Sequence, residues 1–168
     1  MKHNEINKKL FPTTITITQV FGWRFLSLKK KPDNHYGIDI ANVIGTDIKA
    51  ADDGIIRIPD FHKGYGNRVY IFHSDNSMSY YSHLSEITVK ESTKIIKGQV
   101  IAKMGNTGEY TTGPHLHYGL KYKNKWVDPL DYMDIPDNVK FHEKYITKTE
   151  NGLINTSSLK IKEKSNDS

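Results

Sequence analysis

Apolar residues along this chain fall at alternate positions or in short runs, separated every few residues by Gly, Pro, Asn or Asp. The stretch 13–20 (TTITITQV) is β-branched, and Ile15 and Ile17 share a face at period two, the pattern of a half-buried strand. Stretches 37–41, 54–58, 68–73, 79–82, 95–104 and 116–122 read the same way. Lys123-Asn124-Lys125, just before Trp126, reads as a hairpin turn. Gly45, Gly54, Gly64, Gly66, Gly98, Gly105, Gly108, Gly113 and Pro114 punctuate the runs. No stretch sustains a 3.6-residue period, and no internal repeat is evident. The spacing predicts an all-β fold, a compact antiparallel β sandwich or barrel-like core.

The pattern weakens from about Lys144, and 151–168 is polar. Its end reads as a mobile tail or, alternatively, as carrying one more short strand around 159–161. The expected organisation is an N-terminal extension at 1–10, a compact domain at 11–134 and a polar C-terminal extension at 135–168.

Composition narrows the function classes. A length of 168 residues suits one domain, and 10 Tyr, 6 Phe and 2 Trp can fill its core. No stretch approaches the roughly 20 apolar residues of a membrane span. The first ten residues carry two basic clusters with no apolar run after them, unlike a secretory signal peptide. The expected origins are therefore synthesis in the cytoplasm, export by another route, release by lysis, or trimming of a longer chain. The net charge of +5 is mild. Its one dense cluster, Lys29-Lys30-Lys31, reads as a solvated loop or a weak contact with an anionic polymer. No nucleic-acid reading motif accompanies it. With no Cys, a disulfide scaffold, a thiolate metal site and a cysteine nucleophile are excluded. Any metal must be held by His and carboxylate, so the eight His direct the search.

In Asn34-His35-Tyr36-Gly37-Ile38-Asp39-Ile40, the residues around Gly37 argue for a strand, which places His35, Gly37 and Asp39 on one face and Tyr36, Ile38 and Ile40 on the other. Gly37 then leaves room for something held between imidazole and carboxylate; a plain exposed polar face fits the same pattern. In Gly113-Pro114-His115-Leu116-His117-Tyr118, the two imidazoles point the same way, opposite Leu116 and Tyr118. Such a pair suits a metal site in which one nitrogen ligates and its neighbour handles protons, although exposed His pairs also arise by chance. His83 closes an aromatic stretch, where a lone His is also a common structural residue. His3, His62, His73 and His142 read as structural or exposed.

Taken in order, HxxxD, YxHLS and GPHLH resemble the M23 family of zinc metallopeptidases, the lysostaphin- and LytM-like peptidoglycan endopeptidases. The likeness runs from Val20-Phe21-Gly22-Trp23-Arg24 through Gly64-Tyr65-Gly66-Asn67, Tyr81-Ser82-His83-Leu84-Ser85 and Gly105-Asn106-Thr107-Gly108 to Val127-Asp128-Pro129-Leu130. It implies that His35, Asp39 and His117 bind Zn²⁺ and that His83 and His115 are catalytic without ligating. No position of the motif is lost, which speaks against a zinc-free activator or scaffold. HExxH is absent, since Lys144, Tyr145 and Ile146 follow His142-Glu143, and no nucleophile elbow is present.

The resemblance further implies long loops walling a narrow zinc groove, with the Gly64–Gly66 and 105–113 loops as its walls. It implies His115 as the base that takes water's proton, and His83 as the group that orients the water or meets the developing oxyanion. Tyr81, Tyr110 and Tyr118 are expected either to face substrate or to pack. The implied activity is hydrolysis of the peptide stems or cross-bridges of peptidoglycan outside the cytoplasm, by a monomer carried in a phage virion or tail, released by lysis as an endolysin, or trimmed from a bacterial autolysin. Gly113 in GPHLH leans towards D-Ala–diamino-acid links over pentaglycine. The alternative is a wall-binding or structural module of a larger assembly built on the same fold.

Overall fold

Alternation and turn chemistry do produce strands almost throughout. The computed structural model describes residues 6–13, 16–26, 31–142, 147–148 and 154–155. In chain order the strands are β1 (Thr16–Gln19), β2 (Gly22–Leu26), β3 (Lys31–His35), β4 (Ile38–Ala41), β5 (Asp47–Lys49), β6 (Gly54–Arg57), β7 (Asn67–Phe72) and β8 (Ser77–Ile87). There follow β9 (Lys94–Ile95), β10 (Val100–Met104), β11 (His115–Tyr122), β12 (Lys125–Val127), a 3₁₀ turn at Pro129–Tyr132, β13 (Lys140–Phe141), β14 (Thr147–Lys148) and β15 (Ile154–Asn155). No α-helix occurs among the described residues, and none is long and apolar enough to cross a membrane.

Eleven strands form one open sheet in the order β13-β1-β4-β11-β8-β7-β6-β9, with β12 on β11 and β10 joining β8 to β5. Its pairings are antiparallel except β1 with β13, which run parallel, so the all-β sheet is mixed. β2 pairs β3, and β14 pairs β15, as separate ribbons. The sheet's inner faces supply the core: Ile17, Ile38, Ile40, Ile48, Ile71, Leu84, Ile101, Leu116 and Tyr118 are fully buried. Each such side chain contributes about 1.5–3 kcal/mol.

Departures from the sequence pattern have local causes. The stretch 95–104 divides into β9 and β10 at Gly98, whose φ of 83° breaks the strand. Lys123 and Asn124, at φ 47° and 63°, form the two-residue turn between β11 and β12, matching the right-handed twist of the strands. β3 (KPDNH) is polar and holds a Pro, so alternation gave no sign of it.

Chain outside 11–134 also packs. Lys9 is buried, with its ammonium 2.8 Å from both Asp52 and Asp75. Leu10 donates its backbone N–H to the Ala51 carbonyl, and β13 lies against β1. The possible strand at 159–161 and the tail's end lie outside the described residues.

Candidate metal centre

Three strands bring one nitrogen, one oxygen and another nitrogen to a point. His35 ends β3, Asp39 lies in β4, and His117 lies in β11 directly opposite Asp39 in the ladder. His35 Nε2 is 3.1 Å from Asp39 Oδ1 and 2.9 Å from His117 Nδ1, and that nitrogen is 2.9 Å from the same carboxylate oxygen. All three residues are buried. A tetrahedral zinc ion at 2.0–2.1 Å from its ligands sets their mutual spacing at about 3.3 Å, so this triangle matches after a small relaxation.

The donor set points the same way. The His35 Nδ1–H donates to the Val20 carbonyl at 2.8 Å, which leaves a lone pair on Nε2. Burial opposes ionisation of Asp39, but the neighbouring His35 and the hydrogen bond from His117 outweigh it and hold the carboxyl well below its usual range. Burial lowers His117 to about 4, against the pull of Asp39. A two-nitrogen, one-oxygen set suits zinc.

His35 and Asp39 do not share a continuous strand. The chain bends at Tyr36-Gly37 between β3 and β4. The room Gly37 leaves is taken by β11: a Cβ there sits 2.9 Å from the Tyr118 carbonyl carbon and 3.0 Å from His117 Cε1. Tyr36 leaves the apolar face, is 44% exposed and stacks on Trp126.

His115 and His83 stand beside the triangle. His115 shares the His117 face of β11, and its Nε2 is 3.9 Å from Asp39 Oδ1. Its Nδ1–H donates to the Gly113 carbonyl at 2.8 Å, leaving Nε2 as the available lone pair. The His83 ring lies 4.6 Å from that of His115. His83 sits at a bulge where two residues of β8, Ser82 and His83, face one of β7, Arg68, and its φ is 63°. Its backbone N–H donates to the Tyr65 carbonyl, and its Nδ1–H to the Thr107 carbonyl at 2.8 Å. A non-glycine residue in this region is uncommon and often marks a functional position. Burial, then His115, lowers its pKa to about 4, so the ring is neutral at neutral pH.

Two glycine-bearing loops hold Thr107 in place. Glu109 and Tyr110 donate backbone N–H groups to the Lys63 and Gly64 carbonyls, and the Asn67 N–H binds Thr107 Oγ1. This contact needs glycine: Gly108 has φ 86°, and a Cβ on it lies 2.5 Å from the Gly64 carbonyl oxygen.

The tyrosines divide between core and cleft. Tyr81 and Tyr118 are fully buried in the core, and Tyr110 lies edge-on to Tyr65. Tyr65, Tyr70 and Tyr80 line the cavity beside His35 and His117 instead. Register could have shown Tyr80, since it opposes Gly119 two residues beyond His117 on one face of β11. His62 lines the same cavity, with its Nδ1 accepting from the Gly64 and Tyr65 N–H groups. His73 is buried between the Asp53 carbonyl and the Ser79 hydroxyl, a structural role.

The model of peptidase family M23 matches residues 33–129, which include His35, Asp39, His83, His115 and His117. The peptidoglycan DD-endopeptidase ShyA of Vibrio cholerae is 39% identical over 107 residues, 64% of this chain and 25% of that protein. The murein hydrolase activator NlpD of Salmonella dublin is 36% identical over 129 residues, 72% of this chain and 34% of that protein. The catalytic domain of the antimicrobial peptidase lysostaphin from Staphylococcus simulans superposes with a TM-score of 0.60 at 32% identity, covering 68% of this chain and 88% of that one. The matched stretch thus spans about a quarter to a third of the length of these curated relatives. A family match over more than half of the sequence, joined to an all-strand fold shared with lysostaphin, leads to one conclusion: the chain belongs to peptidase family M23.

Proposed function

We propose that this protein is a zinc-dependent endopeptidase that hydrolyses peptide cross-links of bacterial peptidoglycan. The observation that carries the reading is the spatial division of five side chains. His35, Asp39 and His117 converge within 3.1 Å, while His83 and His115 stand outside that triangle with one ring nitrogen each unspent. Similarity to a peptidoglycan DD-endopeptidase supports the substrate class.

Bound zinc supplies Lewis acidity to a carbonyl and lowers the pKa of water. The chain's own groups do the rest. His115 Nε2 accepts a proton from water, because Gly113 fixes its tautomer. His83, fixed likewise by Thr107, orients that water by accepting its hydrogen bond at Nε2. General acid–base help is worth about 10²–10⁴-fold. The 63–66 and 107–110 loops, joined by backbone hydrogen bonds, stand beside His83.

Action outside the cytoplasm, by way of a phage virion, lysis or a longer precursor, belongs to this proposal. A second reading, a wall-binding module or an activator of another hydrolase, draws on the similarity to NlpD. Clearing of purified cell-wall suspensions, followed by turbidity, separates the two. The enzyme clears them, stops with a chelator and resumes with added zinc; an activator alone clears nothing.

A further inference from the structure

A single guanidinium stands in the cavity that opens beside the metal ligands. This cavity of about 190 Å³ is bordered by His35 and His117 at one side and by Arg68 at another. Between them runs an aromatic wall. Tyr70 stacks on Tyr80 at 5.1 Å, Tyr80 meets Trp126 edge-on at 6.1 Å, and Trp126 stacks on Tyr36 at 5.9 Å.

Arg68 is held but not neutralised. One terminal nitrogen donates to the Asp60 carbonyl at 3.0 Å and the other to the Tyr70 hydroxyl at 3.3 Å. Its Nε is buried without a hydrogen-bond partner. Among the described residues Arg68 has no carboxylate within ion-pair distance, although Asp33 lines the same cavity. A planar guanidinium with unspent donors favours a carboxylate.

We propose that Arg68 is a specificity residue that binds a carboxylate on a peptide residue flanking the scissile bond. His35, His117 and Arg68 border one cavity, so a peptide that occupies it from the metal ligands onward meets Arg68 with a residue flanking the scissile bond. Cross-bridges built from a diamino acid with a free carboxylate are then preferred over amidated ones and over plain glycine bridges. This inference rests on the peptidase reading for its substrate class.

The test uses the full chain loaded with zinc and two synthetic cross-link mimics, D-Ala joined to a diamino acid whose carboxylate is free in one and a primary carboxamide in the other. Cleavage, followed by mass spectrometry, tests the peptidase reading. The comparison of mimics tests Arg68, as kcat/KM where they are cut and as Kd by calorimetry where they are not. The wild type favours the free carboxylate by about ten- to hundredfold. Arg68→Gln erases that preference, losing far more on the free carboxylate than on the amidated mimic. Arg68→Lys retains part of it and decides the matter if Arg68→Gln does not fold. Equal handling of both mimics by the wild type, or equal loss on both in Arg68→Gln with Arg68→Lys also indifferent, overturns the proposal.

Discussion

Gly108→Ala separates the metal triangle from the histidines beside it. The new methyl meets three backbone atoms of the facing loop, among them the Gly64 carbonyl oxygen at 2.5 Å and carbonyl carbon at 2.8 Å. None is the tip of a movable side chain. The φ of 86° adds a left-handed penalty of about 1 kcal/mol, and forced overlap adds about 1–3 kcal/mol. The total, about 2–4 kcal/mol, lies below the stability of most domains, so the chain still folds. What moves is the 107–110 loop, and with it the Thr107 carbonyl that orients His83. A displacement of about 1 Å at such a group costs about 10²-fold. His35, Asp39 and His117 sit on β3, β4 and β11, away from that loop, so zinc content is unchanged. Urea denaturation, kcat/KM on a cross-linked peptide and zinc per chain are measured together. Full activity with unchanged stability refutes the fused-loop reasoning, and loss of zinc refutes the separation.

Lys9→Met strands two buried carboxylates and lowers stability at pH 7 by about 3–5 kcal/mol, read as the denaturation midpoint; an unchanged midpoint contradicts the buried ion network. Burial opposes ionisation of Asp75, but hydrogen bonds from Lys9, Ser77 and the Asn7 N–H, with the Lys9 charge, together outweigh it and hold the pKa at about 2. That value lies below the unfolded one of about 3.9, so its stabilisation is complete above roughly pH 4 and disappears as pH falls towards 2. Lys9→Met flattens that slope, the Ser77 and Asn7 hydrogen bonds keeping the rest. Replacing Lys123-Asn124 by Asn-Gly suits the positive φ of both turn residues and raises stability by about 1 kcal/mol by relieving the left-handed penalty; a lower melting temperature contradicts the turn assignment.

Much of the site was legible because period-two alternation survives in β11: His115 and His117 share a face there, with Leu116 and Tyr118 in the core. His35 and Asp39 were legible as a pair although their local structure was not, because the bend at Gly37 lies between strands that each place one candidate ligand. His83 escapes alternation altogether, since the bulge in β8 shifts its register. The aromatic wall was hidden for a related reason. Tyr80 and Tyr81 are neighbours in sequence, and only the pairing of β8 with β11 decides which one faces the cleft. Arg68 depends on contacts from Asp60 and Tyr70 that no local pattern displays. The β2–β3 ribbon and the buried Lys9 follow from tertiary pairing, with no apolar rhythm of their own.

The central claim is that His35, Asp39 and His117 hold zinc while His115 takes water's proton and His83 orients that water, and the most direct measurement is zinc per chain beside peptidoglycan cleavage across five single alanine variants. His35→Ala, Asp39→Ala and His117→Ala are expected to lose both zinc and cleavage. His83→Ala and His115→Ala are expected to keep zinc and lose at least about 10²-fold in turnover. Zinc lost from His115→Ala but retained by His117→Ala contradicts the account.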